Sequence, residues 1–384
     1  MVNKGAQAMT FIAVDELHRR FPDHQIYVLS EMDMERSATE KACFNFEFTG
    51  WYPLKFARCQ TNALLRCACL LRNRGELKEA EALYRNCDAM VDISGYALGS
   101  VWSDEVCGRY LDHLEFAKAF HIPVYLMPQS FGPFDFGEAR KALDDRIRRL
   151  LPTARVIFAR EQEGYDALVS RYGLKNVRLA TDLVLSNQSI DLGRVFKTIP
   201  VIKLPEIADS SVAVIPNAMN ASASSRDNTV KLYTQVIATL LQLGKNVYLL
   251  RHSTMDAELC NTLKENYRED DRVILLERDF SCLEFNELVK RFQFLIASRF
   301  HAIVHAYKNG IPCVVLGWAT KYHALLSRFE QGTYMLDIRD EVEQAEIQNA
   351  IVRMNQRYLD ESRKIESHLA EVQKENTFDA ILEK

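Results

Sequence analysis

Two successive trains of short apolar runs, each run bounded by turn residues and followed by a helix-spaced stripe, set what this chain can fold into. The first train is Gln25–Leu29, Ala89–Ile93, Val124–Met127, Val156–Ala159 and Val177–Ala180; the second is Val212–Ile215, Val247–Leu250, Val273–Leu276, Phe294–Ala297 and Cys313–Leu316. Runs of four or five β-formers alternating with helical segments predict parallel strands covered on both faces. Helical spacing is clear at Leu143, Ile147, Leu150 and Leu151 and again over 228–243. Between the trains, from about Ser186 to Ser211, the periodicity fades into a stretch carrying Pro200 and Pro205. The expectation is an α/β protein of two Rossmann-like domains: 1–186, a linker over 187–210, and 211–355. A helical tail over 356–384 is expected to pack back across both domains, because Ile347, Ile351, Met354 and Tyr358 share one stripe and Ile365, Leu369 and Val372 another.

Composition narrows the function classes. A formal charge of −4 gives no general attraction to polyanions, so nucleic acid is not an expected partner. Nine cysteines are scattered, several inside apolar runs, and read as reduced core thiols of a cytoplasmic protein. Cys67-Ala68-Cys69 lacks a second pair at zinc spacing and reads as packing. No apolar stretch reaches the roughly 18 residues of a membrane span, and no secretory leader opens the chain.

In a doubly wound fold, ligands collect beyond the carboxyl ends of the strands, where helix N-termini present unpaired N–H groups. The segment Ile296–His305 runs from a strand into a helix with Arg299 and His301 at the junction. Arg299 suits a carboxylate or phosphate. Alone it would read as half of a surface ion pair; the neighbouring His301, with an unperturbed pKa of about 6.5, favours a catalytic reading. His305, one turn on, reads as a buried histidine. The H-x-x-x-H spacing has Ala302 where a metalloprotease needs Glu, so no metal is expected. Lys321, in Leu316–His323 after the next strand, is placed to reach a phosphate, and Arg160 ends a strand of the first domain, where by itself it would pair with Glu161.

Ser298-Arg299-Phe300-His301-Ala302, Asn309-Gly310-Ile311-Pro312, Gly317-Trp318 and Lys321-Tyr322 together resemble the signature of the polysaccharide pyruvyl transferase family. Asn3-Lys4-Gly5-Ala6, Pro128–Pro133, Ala159-Arg160-Glu161 and Thr181-Asp182 support it in the expected order. The resemblance implies a GT-B-like fold, phosphoenolpyruvate as co-substrate with no other cofactor, and donor binding by Arg160, Arg299, His301 and Lys321. It places the acceptor on the first domain and the donor on the second. It also implies that protonation of the donor's methylene carbon lets a sugar hydroxyl attack, phosphate leaves, and a second hydroxyl closes the ketal. His301 is the expected acid, with Arg299 and Lys321 on the phosphate and Arg160 on the carboxylate. Asn3, Gln129 and Asp182, at strand ends, are weaker candidates for acceptor contacts, and Asp182 equally suits a turn cap.

Two departures from the family pattern stand out. No strand precedes the Asn3–Ala6 turn, so either the sequence begins after that strand or the domain lacks one, and Ser94–Gly99 stands where relatives carry a run of glycines. The resemblance implies a sugar acceptor, free or linked to nucleotide or lipid, in exopolysaccharide or cell-surface glycan synthesis. A lipid-linked acceptor would bring the basic helix with Arg140, Lys141, Arg146, Arg148 and Arg149 to the inner face of the membrane, although a solvated helix face explains it as well. Two rivals remain: a GT-B glycosyltransferase using a nucleotide sugar, which would want a ribose-binding carboxylate, and a non-catalytic subunit of a polysaccharide assembly system, which would lack the Arg, His and Lys set.

Overall fold

The computed structural model describes residues 3–50, 74–223 and 225–383. Cys59, Cys67 and Cys69, and with them the packing reading of that pair, lie outside the described residues. The chain divides into two compact units: an N-terminal unit of Thr10–Leu183, Ile190–Ile199 and Asn376–Lys384, and a C-terminal unit of Met1–Met9, Val184–Ser189 and Pro200–Glu375.

In the N-terminal unit, β1 (Tyr27–Leu29) pairs in parallel with β2 (Glu47–Thr49). A separate four-stranded parallel sheet runs in the order β3 (Met90–Asp92), β4 (Val124–Gln129), β5 (Val156–Ala159), β6 (Val177–Leu179). The expectation that residues 25–29 join this sheet is corrected: among the described residues that run, half exposed, pairs only with Glu47–Thr49, a strand too short and polar to be picked out by its sequence. β4 and β5 are buried along their whole length, as continuous apolar runs between two helical layers should be. A cluster of rings, Phe44 against Phe46, Phe48 and Phe196 at centroid separations of 4.9–5.3 Å with Phe11 edge-on to Phe196, draws 190–199 back into this unit. On the basic helix Lys141–Leu150 and at its start, Arg140 pairs with Asp104, Arg146 with Asp112 and Glu115, Arg148 with Asp144, and Arg149 with Glu115. These arginines are engaged along a solvated face.

Among the described residues the C-terminal unit holds six parallel strands: β7 (Ser211–Ile215), β8 (Asn246–Leu250), β9 (Val273–Leu276), β10 (Leu295–Ala297), β11 (Cys313–Gly317) and β12 (Met335–Asp337). Their spatial order is β9-β8-β7-β10-β11-β12, with Ile296 in register between Val214 and Val314. Ser225 caps the helix Arg226–Gln242 by accepting from Asn228 N, and Ser281 with Glu284 forms a capping box at Cys282–Val289.

The 29-residue helix Gln344–Val372 is one element, so the expected boundary at 355 falls inside it. It packs on Arg226–Gln242 and Phe300–Lys308 through Ile347, Ile351, Met354, Ile365 and Leu369, while the turn after it, Thr377–Ile381, belongs to the N-terminal unit. Two polar devices fix this helix. Ser362 Oγ donates to Gly310 O at 2.6 Å, where Gly310 sits at φ +70° and a Cβ would lie 2.9 Å from Glu366 Cγ. Buried Glu361 accepts from Gln331 Nε2 at 2.9 Å and Tyr334 OH at 3.0 Å. Lys308 Nζ in turn donates to the carbonyls of Val184 and Asn187, which holds 184–189 to this unit.

Burial pushes the Glu361 carboxyl up, but Gln331, Tyr334 and Lys364 outweigh it and hold the group below its ordinary 4.5. A carboxyl with a depressed folded-state pKa contributes stability above its unfolded value that is lost as pH falls through the folded value. Glu361→Gln is therefore expected to cost roughly 1–2 kcal/mol at pH 7. The gap from the parent should narrow below pH 4.5, as read by urea unfolding across pH.

Candidate active site

The direction of winding in the six-stranded sheet reverses between β7 and β10, so the crossovers from these two strands leave on opposite faces and their following loops part. Both loops are polar and buried. Ser298 Oγ lies 2.8 Å from Asn220 Oδ1 and 2.7 Å from Leu316 O, and Ser298 O accepts from Asn217 Nδ2 at 3.1 Å and Tyr322 OH at 2.9 Å. Tyr233 OH accepts from Asn217 N and Asn220 Nδ2, each at 3.1 Å. Burial pushes both phenols well up, so they remain neutral hydroxyls. The loops after β7, β10 and β11 are thereby fixed to one another.

Arg299 follows this loop as the N-cap residue of the helix Phe300–Lys308. Its guanidinium grips Asp256, Nε to Oδ2 at 3.0 Å and Nη2 to Oδ1 at 2.5 Å. The same carboxylate accepts Ala218 N at 3.0 Å and Ser253 N at 3.2 Å. Asp256 is fully buried and the Arg299 side chain 18 % exposed, so this is a partly buried bidentate pair rather than a surface one.

The helices Phe300–Lys308 and Thr320–Arg328 start beside each other, after the adjacent strands β10 and β11. Neither N-terminus has a side-chain cap, and neither has an acidic residue in its first turn. Lys321, in the first turn of the second helix, carries its ammonium 5.5 Å from the Phe300 ring centroid and 5.6 Å from that of Tyr322. Two helix dipoles and two cations thus converge, which is an arrangement for an anion.

His301 lies in the first turn of Phe300–Lys308, against the start of the helix Lys4–Arg20. A Cβ at Gly5 would fall 2.2 Å from His301 Cγ, so only glycine admits the imidazole there. Lys4 is buried and donates to His252 O at 3.0 Å, over the face of Phe285. Burial pushes the Lys4 amine down, Asp279 and Asp256 pulling the other way. His252 is 2 % exposed; burial first, then the nearby Lys4, His305, His301 and Arg299, hold its imidazole well below the usual range. His305 is buried with Nδ1 3.5 Å from Asn286 Oδ1, as its place one turn into the helix suggests. Sequence reading missed Lys4, His252 and Asp256; only Asp256 had a signal, the capping-box spacing from Ser253 after β8.

The remaining candidates occupy the carboxyl edge of the four-stranded sheet, apart from Asn3. Arg160 donates to Asp182 Oδ2 at 2.7 Å, Ser130 Oγ at 2.6 Å and Glu161 Oε1 at 3.1 Å, with its side chain 5 % exposed. Burial opposes its charge, and Glu161 and Asp182 outweigh that. Gln129, fully buried, accepts from Tyr110 OH at 3.0 Å and donates to Asp92 Oδ1 at 2.9 Å. Burial pushes the Asp92 carboxyl up despite hydrogen bonds from Ser94 and Gln129. Asn3 belongs to the C-terminal unit, where its Oδ1 caps Lys4–Arg20 by accepting from Gly5 N at 2.9 Å.

Among the described residues no cluster of His, Cys, Asp or Glu could hold a metal, and no helix is long and apolar enough to cross a membrane. No curated protein matches the chain. Among solved structures it is similar to the UDP-GlcNAc 2-epimerase of Neisseria meningitidis bound to UDP-GlcNAc, at 12 % identity over 99 % of this chain and 96 % of that one, with a TM-score of 0.58. It is likewise similar to the Methanocaldococcus jannaschii UDP-GlcNAc 2-epimerase (12 %, 89 % and 88 %, 0.54) and to S. aureus MnaA with UDP (13 %, 98 % and 90 %, 0.54). At such identity the likeness is one of fold, that of the GT-B enzymes. The sequence profile of the polysaccharide pyruvyl transferases matches residues 3–320, from the Asn3 turn to the start of the helix that carries Lys321, and the chain belongs to that family.

Proposed function

We propose that this chain moves the pyruvyl group of phosphoenolpyruvate onto two hydroxyls of a sugar, forming a pyruvate ketal and releasing phosphate during polysaccharide or cell-surface glycan synthesis. The observation that carries this reading is the pair of adjacent, uncapped helix N-termini flanked by Arg299 and Lys321 with no acidic residue in either first turn. Phosphoenolpyruvate brings a carboxylate and a phosphate, about three negative charges, and is matched to such a corner.

In this reading Arg299 and Lys321 hold the phosphate, and His301 delivers a proton to the methylene carbon. One sugar hydroxyl adds to the neighbouring carbon and loses its proton; phosphate leaves with the C–O pair; the second hydroxyl closes the ketal. Of the two hydroxyl protons released, one restores His301 and the other leaves with phosphate. Arg160 is proposed for the donor's carboxylate on the family resemblance alone. Gly5 supports the proton donor by letting the helix Lys4–Arg20 begin against the ring.

Calorimetric titration of phosphoenolpyruvate, with UDP and GDP alongside, tests the donor. Saturable phosphoenolpyruvate binding that weakens about 10- to 100-fold in Arg299→Ala is expected. UDP or GDP binding in its absence would overturn pyruvyl transfer and favour a nucleotide-sugar glycosyltransferase. Gly5→Ala is expected to displace the imidazole, moving the His301 signal in histidine-labelled NMR spectra, at a cost in unfolding free energy of about 1–3 kcal/mol from the overpacking. An unmoved His301 signal would remove Gly5 from the site.

A further inference from the structure

Asp256 is absent from the residues that sequence or family resemblance singles out, yet it is the carboxylate around which the donor corner is assembled. It is fully buried and takes four N–H donors from three loops: Ala218 after β7, Ser253 after β8, and Arg299 twice after β10. Four donors occupy all the directions from which a carboxylate accepts. It also helps the buried Lys4 retain its charge.

We propose that Asp256 is a positioning residue for the donor site: it holds the Arg299 guanidinium by one edge and so fixes the direction of the other edge toward the anion. The inference rests on the reading of the site as a phosphoenolpyruvate site. The pair uses Nε and Nη2 of Arg299, and among the described residues the guanidinium has no further partner. The other edge of the fork is what remains for a ligand. Without the buried carboxylate, the guanidinium would lose the two hydrogen bonds that set its orientation. With it, the fork is set before the donor arrives, and binding need not order that side chain.

The test is calorimetric titration of phosphoenolpyruvate into the whole chain as wild type, Asp256→Asn, Arg299→Lys and the double variant, each with its melting temperature. Asp256→Asn is expected to weaken binding about tenfold. In the Arg299→Lys background, where no fork exists to be aimed, the same change should alter the dissociation constant by less than about twofold. Losses that add in the double variant, or an unchanged constant in Asp256→Asn, overturn the positioning role. If the wild type itself does not bind phosphoenolpyruvate, the functional reading fails and the inference with it; that outcome is distinct from a wild type that binds and a variant that binds equally well.

Should Asp256→Asn not fold, nitrogen-15 spectra of the arginine side chains in the wild type decide the matter. The Arg299 Nε–H signal, assigned by its loss in Arg299→Lys, should be resolved from those of exposed arginines and stay so on saturation with phosphoenolpyruvate. A signal averaged with exposed arginines, or one that moves among them on saturation, overturns the proposal.

Discussion

A parallel sheet whose crossovers are all right-handed opens a crevice only where its winding reverses, and in the C-terminal unit that happens once, between β7 and β10. Everything chemically interesting in that unit follows from the reversal. The loops it separates must satisfy their own polar groups without a ladder, and they do so through Asn217, Asn220, Ser298 and the hydroxyls of Tyr233 and Tyr322. The helices that follow start without a side-chain cap. A fold-level rule thereby becomes a local electrostatic one.

Charge is handled differently at the two sheet edges. Arg160 is nearly enclosed and lies between two carboxylates, Asp182 and Glu161. In the C-terminal unit Asp256 grips Arg299 and, with Asp279, acts on the buried Lys4, while Lys321 lies over the Phe300 ring.

Much of this was legible because it rests on short-range patterns. The strands of both trains, Arg299 and His301 at a strand-to-helix junction, and Lys321 after the next strand could be read from periodicity and spacing. What escaped depended on distance in the sequence. Asp256 meets Arg299 across 43 residues and Lys4 meets His252 across 248, and neither contact leaves a local trace. The strands Glu47–Thr49 and Met335–Asp337 also escaped, each flanked by or ending on charged or polar residues rather than standing in a run of four or five β-formers. Tertiary pairing also overrode the simplest division of the chain. The Asn3 turn joins the C-terminal unit because Lys4 and Gly5 pack on His252 and His301, and residues 190–199 join the N-terminal one because Phe196 joins the rings of Phe11 and Phe44.

The turn at Gly310 shows that a family signature can mix two kinds of residue. Asn309-Gly310-Ile311-Pro312 stands in the same signature as Arg299 and His301, yet its glycine adopts a left-handed backbone against Glu366 and offers its carbonyl to Ser362. It serves the seating of a helix. Positions 310, 362 and 366 therefore form a mechanical joint, in which a side chain at 310 would force Glu366 aside and disturb the seat that Ser362 holds.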